Sequence, residues 1–421
     1  MTYQDLRDLS YQSLINLSTT DGINASGRDE AFGAIFGRDS AITILKILRV
    51  HSKKPFIDLL EIARRGLLTL VKLQGQQINI ESGEEPGKFI HEYRTEKFEH
   101  LINLEKPWFI YPDGVLRNYD SVDSTPLILI ALYKFWQITD DNDFMQLVLP
   151  AAEAGLNWIL GYGKDSDYLI EYDFPLSRNH GGLLVQSWTD SSESLRQING
   201  QMPKYPVAPV EVQAYAWLAL KLWADYFQKK DQKLAQQLQT RAKLLKKSFN
   251  QHFIMEEGEH YFAAQALDGN KNQIKTITGN PLLCLWAAYQ IDKTESIIDD
   301  QFIPSLVRRA FQKDLFDSRG GLRTMSTLSP TFNPNQDSYH NGSFWPILNG
   351  MASEGLENFG YFKLARKLKR ATLEAIRYFE SPIELYTKDQ AGLLLQYQSP
   401  TGQVSCKTQA WSAAATLDFL T

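Results

Sequence analysis

Residues 39–52, DSAITILKILRVHS, and 55–74, PFIDLLEIARRGLLTLVKLQ, decide how this chain folds. In the first, Ala41, Ile42, Ile44, Leu45, Ile47 and Leu48 recur at three- and four-residue spacing. In the second, Phe56, Leu59, Leu60, Ile62, Ala63, Leu67, Leu68 and Leu70 do the same. That is the period of an amphipathic helix, and the short connection makes the two a pair. Working outward, the same period predicts helices over 4–18, 123–138, 143–161, 208–228 and 231–253, and a short one over 190–199. It predicts more over 279–291, 295–312, 343–359, 361–379 and 407–420. Pro126 and Pro150 fall near the starts of their helices, where proline is tolerated. Strand-like alternation is scarce, so helix is expected well above half, with little sheet.

Between these segments lie long polar loops, 75–118, 162–187, 254–276, 313–342 and 381–406. Loops of that length are uncommon in a compact domain unless they carry function. They recur at helix-pair intervals and hold the Gly, Trp-Asp and Tyr-His-Asn clusters. The expectation is an all-α fold: an (α/α)6 barrel, or six-hairpin toroid, of about twelve helices with its loops gathered at one mouth. An α-solenoid is the competitor, but it would show a 34–47-residue repeat, and none is visible. No composition break marks a boundary, so residues 1–421 read as one domain without a separate N-terminal β domain.

With 43% hydrophobic and 22% charged residues, the composition is that of a globular protein. The net charge of −5, from 44 basic and 49 acidic residues, leaves no basic stripe for nucleic acid. No apolar run approaches membrane-spanning length, and the N-terminus lacks an apolar signal core. Two cysteines, Cys284 and Cys406, make no disulfide framework, so a reducing, cytoplasmic home is expected. Aromatic residues are abundant at 12%, which suits stacking on sugar faces as well as core packing.

The polar chemistry is densest over 181–215. Gly181-Gly182 leads into Leu183-Leu184-Val185-Gln186-Ser187-Trp188-Thr189-Asp190, and Pro209-Val210-Glu211-Val212-Gln213 follows. A carboxyl group lodged against an indole loses hydration, which favours its acid form. Cleavage of a glycosidic bond needs such a proton donor. Asp190 with Glu193 also fits the start of a helix, as a capping box. Arg38-Asp39 offers a forked donor beside a carboxylate acceptor, matched to two neighbouring sugar hydroxyls; alone, Asp39 would read as a helix N-cap, as would Asp123 before Ser124-Thr125-Pro126. Glu384, between Ile383 and Leu385 behind Pro382, is the strongest second carboxylate, because a proline-led apolar segment fixes it at low entropic cost. Glu211 is its rival as base. His91-Glu92 has no further ligands at metal spacing, and only seven His are present, so no metal is expected.

These stretches carry a resemblance. Gly37-Arg38-Asp39-Ser40-Ala41 resembles the terminal-glucose-binding stretch of glucoamylases and, more closely, that of bacterial and archaeal amylo-α-1,6-glucosidases, the glucosidase part of glycogen debranching enzymes. In the same order follow Glu84-Glu85-Pro86-Gly87-Lys88-Phe89-Ile90-His91-Glu92-Tyr93-Arg94, Asp123-Ser124-Thr125-Pro126-Leu127, Gln186-Ser187-Trp188-Thr189-Asp190-Ser191 and Val210-Glu211-Val212-Gln213-Ala214-Tyr215. Tyr339-His340-Asn341-Gly342-Ser343-Phe344-Trp345-Pro346, Pro382-Ile383-Glu384-Leu385-Tyr386 and Gln409-Ala410-Trp411 complete it. The sequence departs from the family at Gln403–Thr408, at Ile347-Leu348-Asn349 and at Val185, Ser187 and Thr189.

The resemblance implies an inverting, exo-acting glycoside hydrolase on an α-glucoside, with Asp190 as acid and Glu384 as base about 6.5–9.5 Å apart. It gives Glu211 a substrate contact. The candidate substrate-binding set is Arg38, Asp39, His91, Glu92, Asp123, Trp188, Glu211, Gln213, His340, Asn341, Trp345 and Trp411. No cofactor is implied; the partner is a carbohydrate, with neither nucleic acid nor membrane. Trehalase-, invertase- or glucosylglycerate-hydrolase-like activity stays open, as does an epimerase or a non-catalytic glycan-binding protein on the same toroid.

Overall fold

A computed structural model describes residues 1–161, 167–291 and 293–421. The first five residues of the expected 162–187 loop lie outside the described residues. Among those described are α1 (Tyr3–Leu17), α2 (Gly37–Lys53), α3 (Ile57–Lys72), α4 (Glu99–Ile102), α5 (Ser124–Thr139), α6 (Asn142–Gly161) and α7 (Val210–Phe227). Then come α8 (Gln232–His252), α9 (Leu283–Trp286), α10 (Ile303–Ala310), α11 (Pro346–Asn358), α12 (Phe362–Phe379) and α13 (Ala410–Leu420). The helices cover fewer than half of the residues, against the expectation of well above half. The difference lies in expected helices that are absent or shortened, while the loops close into short two- and three-stranded antiparallel ladders too brief to show alternation in sequence.

Three expected helices change. Residues 190–199 form turns rather than a helix, so Asp190 and Glu193 cap nothing. The 279–291 segment is one 3-10 turn, Asn280–Leu282, continued by α9 and then a strand at Tyr289–Gln290. The 295–312 helix shrinks to the eight residues of α10. Pro150 lies inside α6, not near its start.

Packing sorts the helices into two kinds. α2 packs on α5, α5 on α7, α7 on α9, α9 on α11, α11 on α13, and α13 back on α2. α7 is buried on nearly every side, from Val210 to Leu220 and through Trp223 and Phe227, as befits an apolar helix surrounded by others. α1, α3, α6, α8 and α12 each pack on one of these and bury only a stripe. In α12 that stripe is Ala365, Leu368, Ala371, Thr372, Ala375 and Ile376, the i, i+3, i+4, i+7 rows of an amphipathic helix. Cutting such a buried leucine back, as in Leu368→Ala, costs roughly 2–5 kcal/mol.

A buried charge cluster pins the far ends of α2, α11 and α13. Lys46 is 1% exposed, donates to Gly350 O at 3.2 Å, and pairs with Glu354 and Asp418. Arg49 and Lys53 reach the same Asp418 at 3.0 and 2.8 Å. Burial opposes ionisation of Asp418, but these three cations override it and hold its carboxyl well below the usual range.

The opposite ends matter for function. α2, α5, α7, α11 and α13 all begin where the short ladders lie. Ile35–Phe36, Glu92–Arg94 and Leu116–Asn118 form one of these, leading directly into α2.

Candidate active site

The site is built from helix N-termini and from the loops beside them. Gly37 N donates to His91 O at 2.8 Å, and a Cβ on Gly37 would stand 2.0 Å from Ile90 O, so only glycine lets the 88–94 backbone lie against the start of α2. That contact aims the next two side chains, Arg38 and Asp39, inward. Asp123 is the N-cap residue of α5 yet makes no capping bond, and Phe36, not Asp39, is the N-cap of α2. Both aspartates are therefore free of the capping duty their positions suggest.

Arg38, 3% exposed, bridges carboxylates. Its Nη1 donates to Asp123 Oδ2 at 3.0 Å and its Nη2 to Asp190 Oδ2 at 2.7 Å, while Nε lies 3.9 Å from Asp39 Oδ2. Ser121 Oγ also donates to Asp123, and Gln409 Nε2, from the N-cap of α13, donates to Asp39 Oδ1 at 3.2 Å. Burial depresses the charge of Arg38, but its three aspartates raise its basicity above the ordinary value.

Asp190 sits at the end of the Trp188-Thr189-Asp190 turn, with its side chain 25% exposed. The glycine pair upstream has a packing reason: a Cβ on Gly182 would meet Asp120 Oδ2 at 2.1 Å, where Asp120 holds buried Arg178 at 2.8 Å. Burial pushes the Asp190 carboxyl up to about 6, opposed by Arg38. Glu384 follows α12 on a loop segment pinned by Glu384 N donating to Cys406 O at 3.0 Å. Its Oε1 accepts from Tyr339 Oη at 2.6 Å and its Oε2 from Cys406 N at 2.8 Å. Burial pushes it up to about 7 against those two donors. Asp39 is likewise raised to about 7, by burial and then by the charges of Asp190 and Glu384, with Arg38 opposing. Both carboxylates therefore lie within electrostatic reach of Asp39.

These groups face one narrow pocket of about 40 Å³. It is lined by Phe32, Phe36, Arg38, Asp39, Trp188, Asp190, Tyr339, His340, Trp345, Glu384, Gln409 and Trp411. Its aromatic wall is continuous. Trp188 meets His340 and Trp345 edge-on at 5.6 and 5.8 Å, His340 stacks on Trp345 at 4.7 Å, and Trp345 meets Trp411 at 6.0 Å. Burial, reinforced by Arg38, holds His340 well below its usual value, so the ring is neutral; Nδ1 bonds Ser191 Oγ at 2.9 Å. Arg38 Nε, Trp188 Nε1, Trp411 Nε1 and Gln409 Oε1 are buried with no hydrogen-bond partner among the described residues. Buried polar atoms are normally paired, so orphans gathered around one pocket suit a polyhydroxylated ligand. Two wider concavities, of about 680 and 470 Å³, hold neither carboxylate of this pair.

The remaining sequence candidates do not line the pocket. His91 packs its ring on Phe36 at 5.6 Å, and Glu92 pairs with Arg94. Gln213 donates to Ile170 O and Pro209 O and accepts from Ile170 N, clamping one loop to α7. Asn341 accepts from Ser338 Oγ at 3.1 Å. Asp123 stands behind Arg38. Glu211 is fully buried at the start of α7, with Asn280 donating to Oε2 at 3.3 Å and Oε1 without a hydrogen-bond partner among the described residues; burial pushes it up to about 7. Tyr339, Gln409, Phe32 and Phe36 also line the pocket, although they lie outside the candidate set; Tyr339 and Gln409 belong to motifs quoted above. Among the described residues no group of three or more His, Cys, Asp or Glu has metal-holding geometry, and no helix is long and apolar enough to cross a membrane.

Residues 68–418 match the profile of the amylo-alpha-1,6-glucosidase family. No match was found among curated proteins. Among solved structures, the chain is similar to a GH63 mannosylglycerate hydrolase from Thermus thermophilus in complex with glucose. Identity is 17% and the TM-score 0.67, covering 98% of this chain and 99% of that one. It is also similar to an uncharacterized conserved protein from the same organism, at 16% identity and TM-score 0.65 over 98% and 99%. A metal-independent alpha mannosidase from Streptococcus pneumoniae, in complex with alpha-1,6-mannobiose, matches at 14% identity and TM-score 0.62 over 99% and 93%. Likeness at this level of identity is likeness of fold.

Proposed function

The chain belongs to the amylo-alpha-1,6-glucosidase family and is a glycoside hydrolase, and on that premise we propose that it is an inverting, exo-acting enzyme on an α-glucoside. The cycle of contacts from α2 through α5, α7, α9, α11 and α13 is read as the inner ring of an (α/α)6 toroid, with its N-termini at the active mouth. The observation that carries the reading is one pocket that holds two separately supported carboxylates, Asp190 on Arg38 and Glu384 on Tyr339 and Cys406 N.

Asp190 gives its proton to the glycosidic oxygen as the bond from that oxygen to the anomeric carbon breaks. Glu384 takes a proton from water, whose oxygen attacks the same carbon from the opposite face. One proton enters the leaving alcohol and one leaves the water, so the pair resets by exchanging a proton with solvent. Arg38 and Asp39 hold the terminal sugar's hydroxyls, and Trp188, Trp345 and Trp411 present apolar faces to its ring. Glu384 is preferred to Glu211 as base because it lines the pocket and Glu211 does not. His91, Glu92, Asp123, Gln213 and Asn341 act behind these side chains, holding the loops.

A second reading, hydrolysis of a small glycoside such as a glucosyl- or mannosylglycerate, is favoured by the narrowness of the pocket and by the Thermus mannosylglycerate hydrolase of like fold. Rates on isomaltose, a branched dextrin, glucosylglycerate and mannosylglycerate test both. Turnover of isomaltose or the branched dextrin supports the α-glucosidase reading, and turnover of glucosylglycerate without them supports the second. Activity on mannosylglycerate alone replaces the α-glucosidase reading.

A further inference from the structure

A second concavity, of about 680 Å³, lies between α12 and the hairpins Phe316–Leu322 and Tyr386–Gln396. It shares no lining residue with the active-site pocket. Its volume falls within the roughly 300–1,000 Å³ of small-molecule sites. Ala371, Ala375 and Leu394 give it an apolar floor, while Tyr378 and Leu393 stand at its lip 55% and 48% exposed.

Arg319, Lys367 and Arg370 line the same cavity, and none forms an ion pair among the described residues. The single acid there, Glu374, is engaged by Tyr3 Oη at 3.0 Å and by Arg377 at 3.6 Å. The chain is acidic overall, yet α12 carries six basic residues to this one acid. A helix face of that kind is often merely solvated. Here, however, the cations surround a concavity, and one of them is held in place. Arg319 Nη1 donates to Gly392 O at 3.2 Å, its backbone N donates to Asp317 Oδ1 at 2.8 Å, and Asp317 also pairs with Lys388. The two hairpins are thereby latched together, leaving the rest of the guanidinium fork open.

We propose that this cavity binds a small organic phosphate. The phosphate monoester dianion would meet Arg319, Lys367 and Arg370, and its carbon portion would lie on Ala371, Ala375 and Leu394. Arginine forks and lysine charges suit phosphate oxygens, and the apolar floor rewards a ligand that is more than a bare ion.

Titration calorimetry on the full chain tests this with phenyl phosphate, inorganic phosphate, phenol and phosphatidylglycerol vesicles. Phenyl phosphate should bind at one site, at least tenfold tighter than inorganic phosphate or phenol. Lys367→Ala with Arg370→Ala should weaken it at least tenfold, with circular dichroism unchanged because both side chains are exposed. Lys363→Ala, on the same helix outside the cavity, and Arg38→Ala, in the active site, should leave it unchanged. The proposal is overturned if phenyl phosphate fails to bind, if inorganic phosphate or phenol binds as tightly, or if only vesicles bind. It is equally overturned if Lys363→Ala or Arg38→Ala weakens binding as much as the double variant.

Discussion

Arg38 donates from Nη2 to Asp190 Oδ2 at 2.7 Å, so the side chain proposed to release a proton rests on a permanent cation. A cation that near favours the carboxylate, and burial favours the acid. Burial prevails over Arg38, and the carboxyl stands at about 6, lower than burial alone would put it. In the proposed mechanism Arg38 therefore does more than clamp a sugar; it keeps the donor acidic enough to give up its proton near neutral pH.

Asp39 and Arg38 should separate on substitution. Among the described residues the Asp39 side chain accepts one hydrogen bond, from Gln409, so Asp39→Ala should lower kcat/KM about 10–100-fold while thermal unfolding stays nearly in place. Arg38→Ala also strands Asp123, fully buried, and should cost stability as well, by about 3–5 kcal/mol. Differential scanning calorimetry beside steady-state kinetics reads both. A collapse in the stability of Asp39→Ala, with normal activity per folded molecule, would make the pair a structural clamp.

The pH profile follows from the two carboxyls. The proposed mechanism needs Asp190 protonated and Glu384 ionised, and burial places them at about 6 and about 7. The working form is therefore a minority, and kcat/KM should peak between pH 6 and 7, falling on both sides as the pair titrates together. A plateau extending from pH 4 to 9 contradicts this assignment.

Tyr339→Phe should move that profile. Its hydroxyl donates to Glu384 at 2.6 Å and favours the ionised base. Without it the Glu384 carboxyl rises further, so the acid limb should shift to higher pH and activity at pH 6 should fall by more than activity at pH 8. An unmoved limb would mean that Glu384 does not govern it.

Glu211 gives a stability test with a definite sign. Burial raises its carboxyl to about 7 in the folded protein, against roughly 4.3 when unfolded. Between those values only the folded state holds the proton, so stability falls as pH rises from about 4 to about 7. Glu211→Gln removes that term. Its melting temperature should gain on wild type as pH goes from 5 to 8. A constant difference across that range would show that Glu211 is ionised throughout.

Much of the helical frame was legible because burial imposes a period. The α2–α3 and α7–α8 pairs lie within a few residues of where apolar spacing puts them. The ladders were not, since a two-residue strand such as Ile35–Phe36 has no alternation to display. The 190–199 segment misled because Asp190 and Glu193 have capping-box spacing, whereas Asp190 is turned toward Arg38 instead. Within the site, Arg38 and Asp39 could be read from adjacent chemistry. The bond from Tyr339 to Glu384 could not, because it joins residues 45 apart through a fold the local pattern does not encode. Gln213 read as a polar side chain poised for substrate, but it satisfies backbone groups of Ile170 and Pro209, a duty visible only once the loop is in place.

The stereochemistry of the first turnover tests the central claim most directly. Anomer-resolved proton NMR, recorded before mutarotation, should show β-glucose released first from an α-glucoside hydrolysed by the wild-type enzyme. Water directed by Glu384 from the face opposite Asp190 can give no other anomer. Release of α-glucose first would require a covalent intermediate, and would contradict the assignment of Asp190 and Glu384 as acid and base.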